Sequence, residues 1–182
     1  MIASIFRKDR AQSQAETLYA ALAGQARAPE FYAIAGAPDT PEGRFDMLAL
    51  HMFLAIDRLR REGAEEGRLI RRLQEIFFES LDGALREMGV GDLSVGRKIR
   101  GLAEAFYGRF SAYERAIGEA EEALEAALSR NVIGTEDASA GRMLARYVRG
   151  ARAALEETPA DDLASAFARL SAISSELVAR AR

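Results

Sequence analysis

Apolar residues recur along most of this chain at spacings of three and four, the period of amphipathic helices. A first helix is predicted over Gln12–Ala26, with Ala15, Leu18, Tyr19 and Leu22 on one face and Gly24 and Pro29 ending it. Glu30 to Asp39 reads as a connector packed down by Phe31, Tyr32 and Ile34. Thr40-Pro41 is a strong helix start, with threonine as N-cap and proline in the first turn. The helix it opens, 41–62, is apolar on most of its circumference (Met47, Leu48, Leu50, Met52, Phe53, Leu54, Ile56, Leu59), and a helix greasy nearly all round belongs at the centre of a fold. Arg58, Arg60 and Arg61 fall in its last turns, where cations suit the helix dipole.

Glu65–Met88 follows as a helix with Leu69, Leu73, Ile76, Phe77, Leu81 and Leu85 stacked. Gly89 then suits a left-handed cap. Asp92 or Ser94 is expected to cap the next helix, whose stripe runs Ile99, Leu102, Ala103, Phe106, Phe110, Tyr113. Further on, 114–128 is helical, either continuing the same helix or starting afresh near Gly118. Asn131–Glu136 reads as a loop and Asp137–Thr158 as a helix. A second Thr-Pro start at Thr158 leads a last helix burying Leu163, Phe167, Leu170, Ile173 and Leu177. These elements predict an all-α fold, a single globular domain of about five to seven helices packed around 41–62. Residues 1–10 are expected to be a flexible amphipathic N-terminus ahead of one domain over 11–182.

Composition narrows the chemistry. The absence of cysteine removes disulfides, thiolate metal sites and a cysteine nucleophile, and one histidine removes multi-histidine metal sites. A net charge of −3 argues against nucleic-acid specificity. Met1–Arg10 lacks the features of a secretory signal. Phe45–Leu59, the longest apolar-dense run, contains Asp46, His51 and Asp57 and is too short to span a bilayer, so a soluble protein is expected. Ile2, Ile5 and Phe6 beside Arg7, Lys8 and Arg10 leave two readings of the tip: a terminus that frays or tucks onto the domain, or one that touches an anionic membrane surface. Glu75, Glu79 and Asp82 lack the Glu-x-x-His pairs of a di-iron bundle, and the isolated Asp161-Asp162 is explained by helix capping, so neither metal nor cofactor is expected. His51 reads either as a buried, hydrogen-bonded histidine or as a partner contact.

The run MGVGDLSVGRKIRGLAEAFYGRFSAY (88–113) departs from generic helix. Its apolar stripe is bordered by Arg97, Lys98, Arg100 and Arg109. Gly101 and Gly108 each cost a helix about 1 kcal/mol relative to alanine, which predicts close approach by a neighbour, either another helix of the same domain or a partner. Tyr107 is out of phase with the stripe and is the first choice for an exposed anchor.

Together with RFDMLALHMFLAIDRLRREG (44–63) and LIRRLQEIFFESLDGALREMGVGDLSVGRKIRGLAEAFYGRFSAY (69–113), this run resembles the ubiquinol–cytochrome c chaperone family, over roughly residues 11–180. The resemblance is densest from Arg44 to Tyr113 and carries no catalytic motif. It implies a non-enzymatic assembly chaperone of ubiquinol–cytochrome c reductase that binds newly synthesised cytochrome b. It also implies transient contact with the membrane surface or ribosome, and a cytoplasmic protein peripheral on the inner membrane. The residues placed at such a surface are Arg97, Lys98, Arg100, Phe106, Tyr107, Arg109, Tyr113, His51 and Arg58. The alternative is a small helical enzyme or ligand-binding protein acting on an apolar ligand.

Overall fold

A computed structural model of the chain describes residues 2–63 and 67–170, with side chains from Arg10 onward. The expected roles of Glu65, Ile173 and Leu177, and of the side chains in the N-terminal tip before Arg10, fall outside the described residues. The described chain is helical without strands: α1 (Ile2–Ala26), α2 (Pro29–Ala33), α3 (Pro41–Glu62), α4 (Gly67–Glu87), α5 (Asp92–Ile117), α6 (Glu121–Leu128), α7 (Arg142–Glu156) and a helical stretch α8 over 163–170.

Helix α3 is the axis of a single globular domain. Its start is the one the sequence predicts, with the Thr40 side chain accepting from the Gly43 N–H at 3.1 Å. Leu50, Met52, Phe53, Leu54, Ala55 and Ile56 are fully buried, so two successive turns are sealed on every side. That coat is supplied by α1, α4, α5 and α7. The connector before α3 is partly helical, as α2, and its Phe31 sets its ring edge against Tyr147 of α7 at 4.7 Å.

Two buried polar residues on α3 are satisfied across the fold. The His51 Nδ1–H donates to the Met47 carbonyl at 2.8 Å, so Nε2 accepts from the Tyr147 hydroxyl, also at 2.8 Å. Arg58 donates from Nε to the Leu155 carbonyl and from Nη2 to the Thr158 carbonyl, both at 2.8 Å, and pairs with Glu62. Leu155 and Thr158 lie at the C-terminus of α7, where carbonyls lack helical partners and a cation suits the dipole.

The chain departs from its sequence pattern at several helix ends. Neither Asp92 nor Ser94 caps α5. Gly91 holds the N-cap position, and the Asp92 carboxylate instead pairs with Arg86 at the end of α4. The predicted loop over Asn131–Glu136 begins with a π-helical turn, Ser129–Ile133, closed by Gly134 at φ +83°. A 3-10 turn over Ala138–Gly141 takes the first residues expected of α7. Thr158 does not cap the next helical segment, because its hydroxyl donates back to the Ala154 carbonyl at 3.0 Å and finishes α7.

The glycines also divide against expectation. Among the described residues, no neighbouring atom lies within 4 Å of a methyl group placed at Gly101 or Gly108, so no other part of the described fold approaches them. Close approach occurs elsewhere: a methyl at Gly43 would sit 2.0 Å from the Pro38 carbonyl oxygen, and one at Gly141 would sit 2.1 Å from that of Glu125. We therefore expect Gly101→Ala and Gly108→Ala each to stabilise the protein by about 1 kcal/mol, raising Tm by roughly 2–4 °C. Gly141→Ala should instead cost about 2 kcal/mol or more, because backbone must move. Thermal melts of the three variants check both signs.

Candidate interaction surface

Helices α4 and α5 form an antiparallel hairpin, and their packing is built on aromatic side chains. From α5, Phe106, Phe110 and Tyr113 point into the core, where Phe110 and Tyr113 meet Phe53 of α3 at 5.1 and 5.5 Å between ring centroids. Phe77 of α4 contacts Phe106 at 5.0 Å. Phe78, its neighbour in sequence, also touches Phe106, at 6.0 Å, but is only partly buried and faces Tyr107 at 6.4 Å. The ladder thus runs from α3 outward and ends at Tyr107, which is 49% exposed.

Phe78 and Tyr107 floor a surface groove of about 490 Å³. Arg71, Gln74, Glu75, Glu79 and Asp82, all from α4, form its polar wall. Glu75 pairs with Arg72 at 2.5 Å and Asp82 with Arg86 at 2.6 Å, so much of the acidic wall is neutralised locally. A groove with an apolar floor and a mixed-charge edge accepts an apolar side chain from a helix or loop whose flanking residues are polar.

The expected site residues separate into two groups. Arg97, Lys98 and Arg100 are exposed on α5 and have no carboxylate partner among the described residues. Together with Tyr107 they form a continuous outer surface on α5. The other five face inward. Phe106 and Tyr113 are core residues, because the stripe that the period of 3.6 reveals is the one α5 turns toward α3. His51 is fully buried and Arg58 nearly so, each spent on the polar contacts described above. Arg109 is half-buried: it pairs with Asp46 of α3 at 2.8 Å, donates to the Ala105 carbonyl, and lies 5.6 Å from the centroid of the Phe45 ring. Phe106, Tyr113 and Arg109 hold the hairpin on the core, while His51 and Arg58 tie α3 to α7.

Two features of this face escape the sequence pattern. Phe78 is one; its signal is adjacency to Phe77, since consecutive residues on a helix cannot share a face. Leu93 is the other, wholly exposed and out of phase with the Phe106–Phe110 stripe.

Burial drives the His51 pKa from its ordinary 6.5 down to about 4, so the ring is neutral at physiological pH. Asp46 moves oppositely, up to about 6, because burial outweighs the attraction of Arg109. Among the described residues, no group of three or more His, Cys, Asp or Glu side chains is placed to hold a metal ion. No described helix is long and apolar enough to cross a membrane.

The unfolded chain takes up a proton on His51 below about pH 6.5, whereas the folded protein does so only near 4. Stability therefore falls as pH drops through that window, by about 3 kcal/mol for a shift of this size. Asp46, protonated in the fold at pH values where the unfolded chain is not, works against it over 3.8 to 6. Replacing His51 with Gln should flatten the acid limb of denaturant stability between pH 6.5 and 4, whatever its effect at neutral pH.

Comparison with known proteins gives one family. The model of the ubiquinol-cytochrome C chaperone family matches residues 34–170. Ubiquinol-cytochrome-c reductase complex assembly factor 1 of Xenopus laevis is 26% identical over 136 residues, which are 74% of this chain and 68% of the frog protein. Its mouse namesake is also 26% identical over 136 residues, but these make up only 46% of that longer protein. The crystal structure of the Cbp3 homolog from Brucella abortus matches with a TM-score of 0.77 at 37% identity, over 91% of this chain and 94% of that one.

Proposed function

We propose that this chain, which belongs to the ubiquinol-cytochrome C chaperone family, promotes assembly of ubiquinol–cytochrome c reductase by holding newly synthesised cytochrome b on the outer face of α4 and α5. The observation that carries the reading is the family match over residues 34–170, joined to a likeness of fold across nearly the whole chain. Cytochrome b is the finer part of the proposal. Its unassembled helices expose apolar surface, and the Phe78–Tyr107 groove offers aromatic contact at low entropy cost, with Arg97, Lys98 and Arg100 two to three turns away along α5.

The protein acts by binding, without turnover. His51, the only histidine in the sequence, is enclosed between α3 and α7, so no imidazole reaches the groove as a general base. The groove's own groups are carboxylates, amide, guanidinium and phenol; Gln74 is bonded to Tyr107, and Glu75 and Asp82 are paired with Arg72 and Arg86 outside the groove.

Removing the gene for this chain from its host should lower assembled reductase, with recovery on return of the wild-type gene. A photocrosslinking residue at position 107 should capture newly made cytochrome b, while one at exposed Ser165 on α8 should not. Unchanged reductase after gene removal overturns the assembly role. Lowered reductase without a crosslink from 107 leaves that role standing and removes the surface.

Charge reversal tests the basic residues separately. Arg97→Glu with Lys98→Glu should leave stability within about 0.5 kcal/mol, because neither residue has a carboxylate partner to lose among the described residues. The double variant should reduce cytochrome b capture and assembled reductase. Unchanged melting with unchanged assembly would show that these two residues lie outside the binding face.

A further inference from the structure

Among the large apolar side chains described, Leu93 and Met88 are the most exposed, at 102% and 58%. Met88 lies in the turn that joins α4 to α5, where Gly89 has φ +82°, and Leu93 lies in the first turn of α5. Arg97 and Arg100 follow Leu93 on the same face of α5, one and two turns on, while Lys98 stands about 140° round the helix from Leu93, at the same end of α5. At 1.5 Å per residue, they stand about 6 and 10.5 Å behind Leu93 along the helix axis. All three cations are exposed and lack a carboxylate partner among the described residues. The nearby Asp92 is matched by Arg86.

An apolar tip backed by unpaired cations has the profile of a membrane–water interface: acyl chain boundary first, phosphates behind it. The net charge of −3 gives no general attraction to anionic surfaces, so the pull must come from a local basic cluster such as this one. We propose that the α4–α5 turn is a membrane-docking tip, with Leu93 and Met88 entering an anionic bilayer interface and Arg97, Lys98 and Arg100 contacting its phosphates. The tip works whichever reductase subunit the protein holds.

The sequence contains no tryptophan, so Leu93→Trp places a lone reporter at the tip. With vesicles of phosphatidylcholine and phosphatidylglycerol, its emission should shift to the blue and be quenched by brominated lipid, an effect lost in high salt. Vesicles of phosphatidylcholine alone should give neither effect, and Ser111→Trp, on the same face of α5 but far from the turn, should stay unshifted. In sedimentation with the anionic vesicles, neutralising Arg97, Lys98 or Arg100 to Gln should weaken partitioning of the full-length protein about fivefold each. The proposal is overturned if the wild-type protein does not sediment with anionic vesicles, or if Leu93→Trp and Ser111→Trp respond alike. It is equally overturned if Arg7→Gln with Lys8→Gln abolishes binding while Leu93→Glu leaves it intact.

Discussion

Enclosing the middle turns of α3 on every side is the constraint on which the rest of the molecule depends. A stretch of helix with no solvent face must satisfy each polar group it carries, and His51 and Arg58 are the two that would be most costly to leave alone. Both are satisfied by α7: one through a hydroxyl, the other through the bare carbonyls at that helix's end. The neutral ring of His51 and the cap over α7 are thus conditions for a central helix to exist.

Because α1, α4, α5 and α7 cover α3, each spends one face on it and keeps another for the surface. In α4 and α5 the division falls between neighbours in sequence. Phe77 and Phe106 go inward, while Phe78 and Tyr107 go outward onto the groove. The outward pair rests on buried rings, so the exposed aromatic surface is backed by packed core and is presented with little freedom to lose on binding. The same division leaves cations without carboxylate partners on α5, although Arg109, on the boundary, is drawn onto Asp46.

Much of this architecture is legible in the sequence. The boundaries of α3 come from Thr40-Pro41 and a circumference that is apolar for the most part, and the buried stripe of α5 comes from its phase. Tyr107 is legible for the complementary reason, being out of that phase. Other features depend on which parts of the chain the fold brings near. The cost of glycine in a helix is the same beside a neighbour or beside water, so Gly101 and Gly108 are indistinguishable in sequence from contact sites. The Thr158 hydroxyl has two acceptable uses, an N-cap or a bond to the preceding turn, and tertiary placement selects the second. Periodicity finds the stripe a helix buries and is silent on whether charges beside it serve the fold, as Arg58 does, or stand out in solvent, as Arg97 does.

The bonds that complete α3 reach far along the chain: His51 and Tyr147 are separated by 96 residues, and Arg58 and Leu155 by 97. During synthesis the most deeply buried helix therefore leaves the ribosome well before the last helix that covers it. At roughly 5–20 residues per second, that interval is on the order of 5–20 s. A protein of a chaperone family thus spends its own first seconds as a chain whose central helix is only partly covered, and it depends on late-arriving α7 to complete that cover.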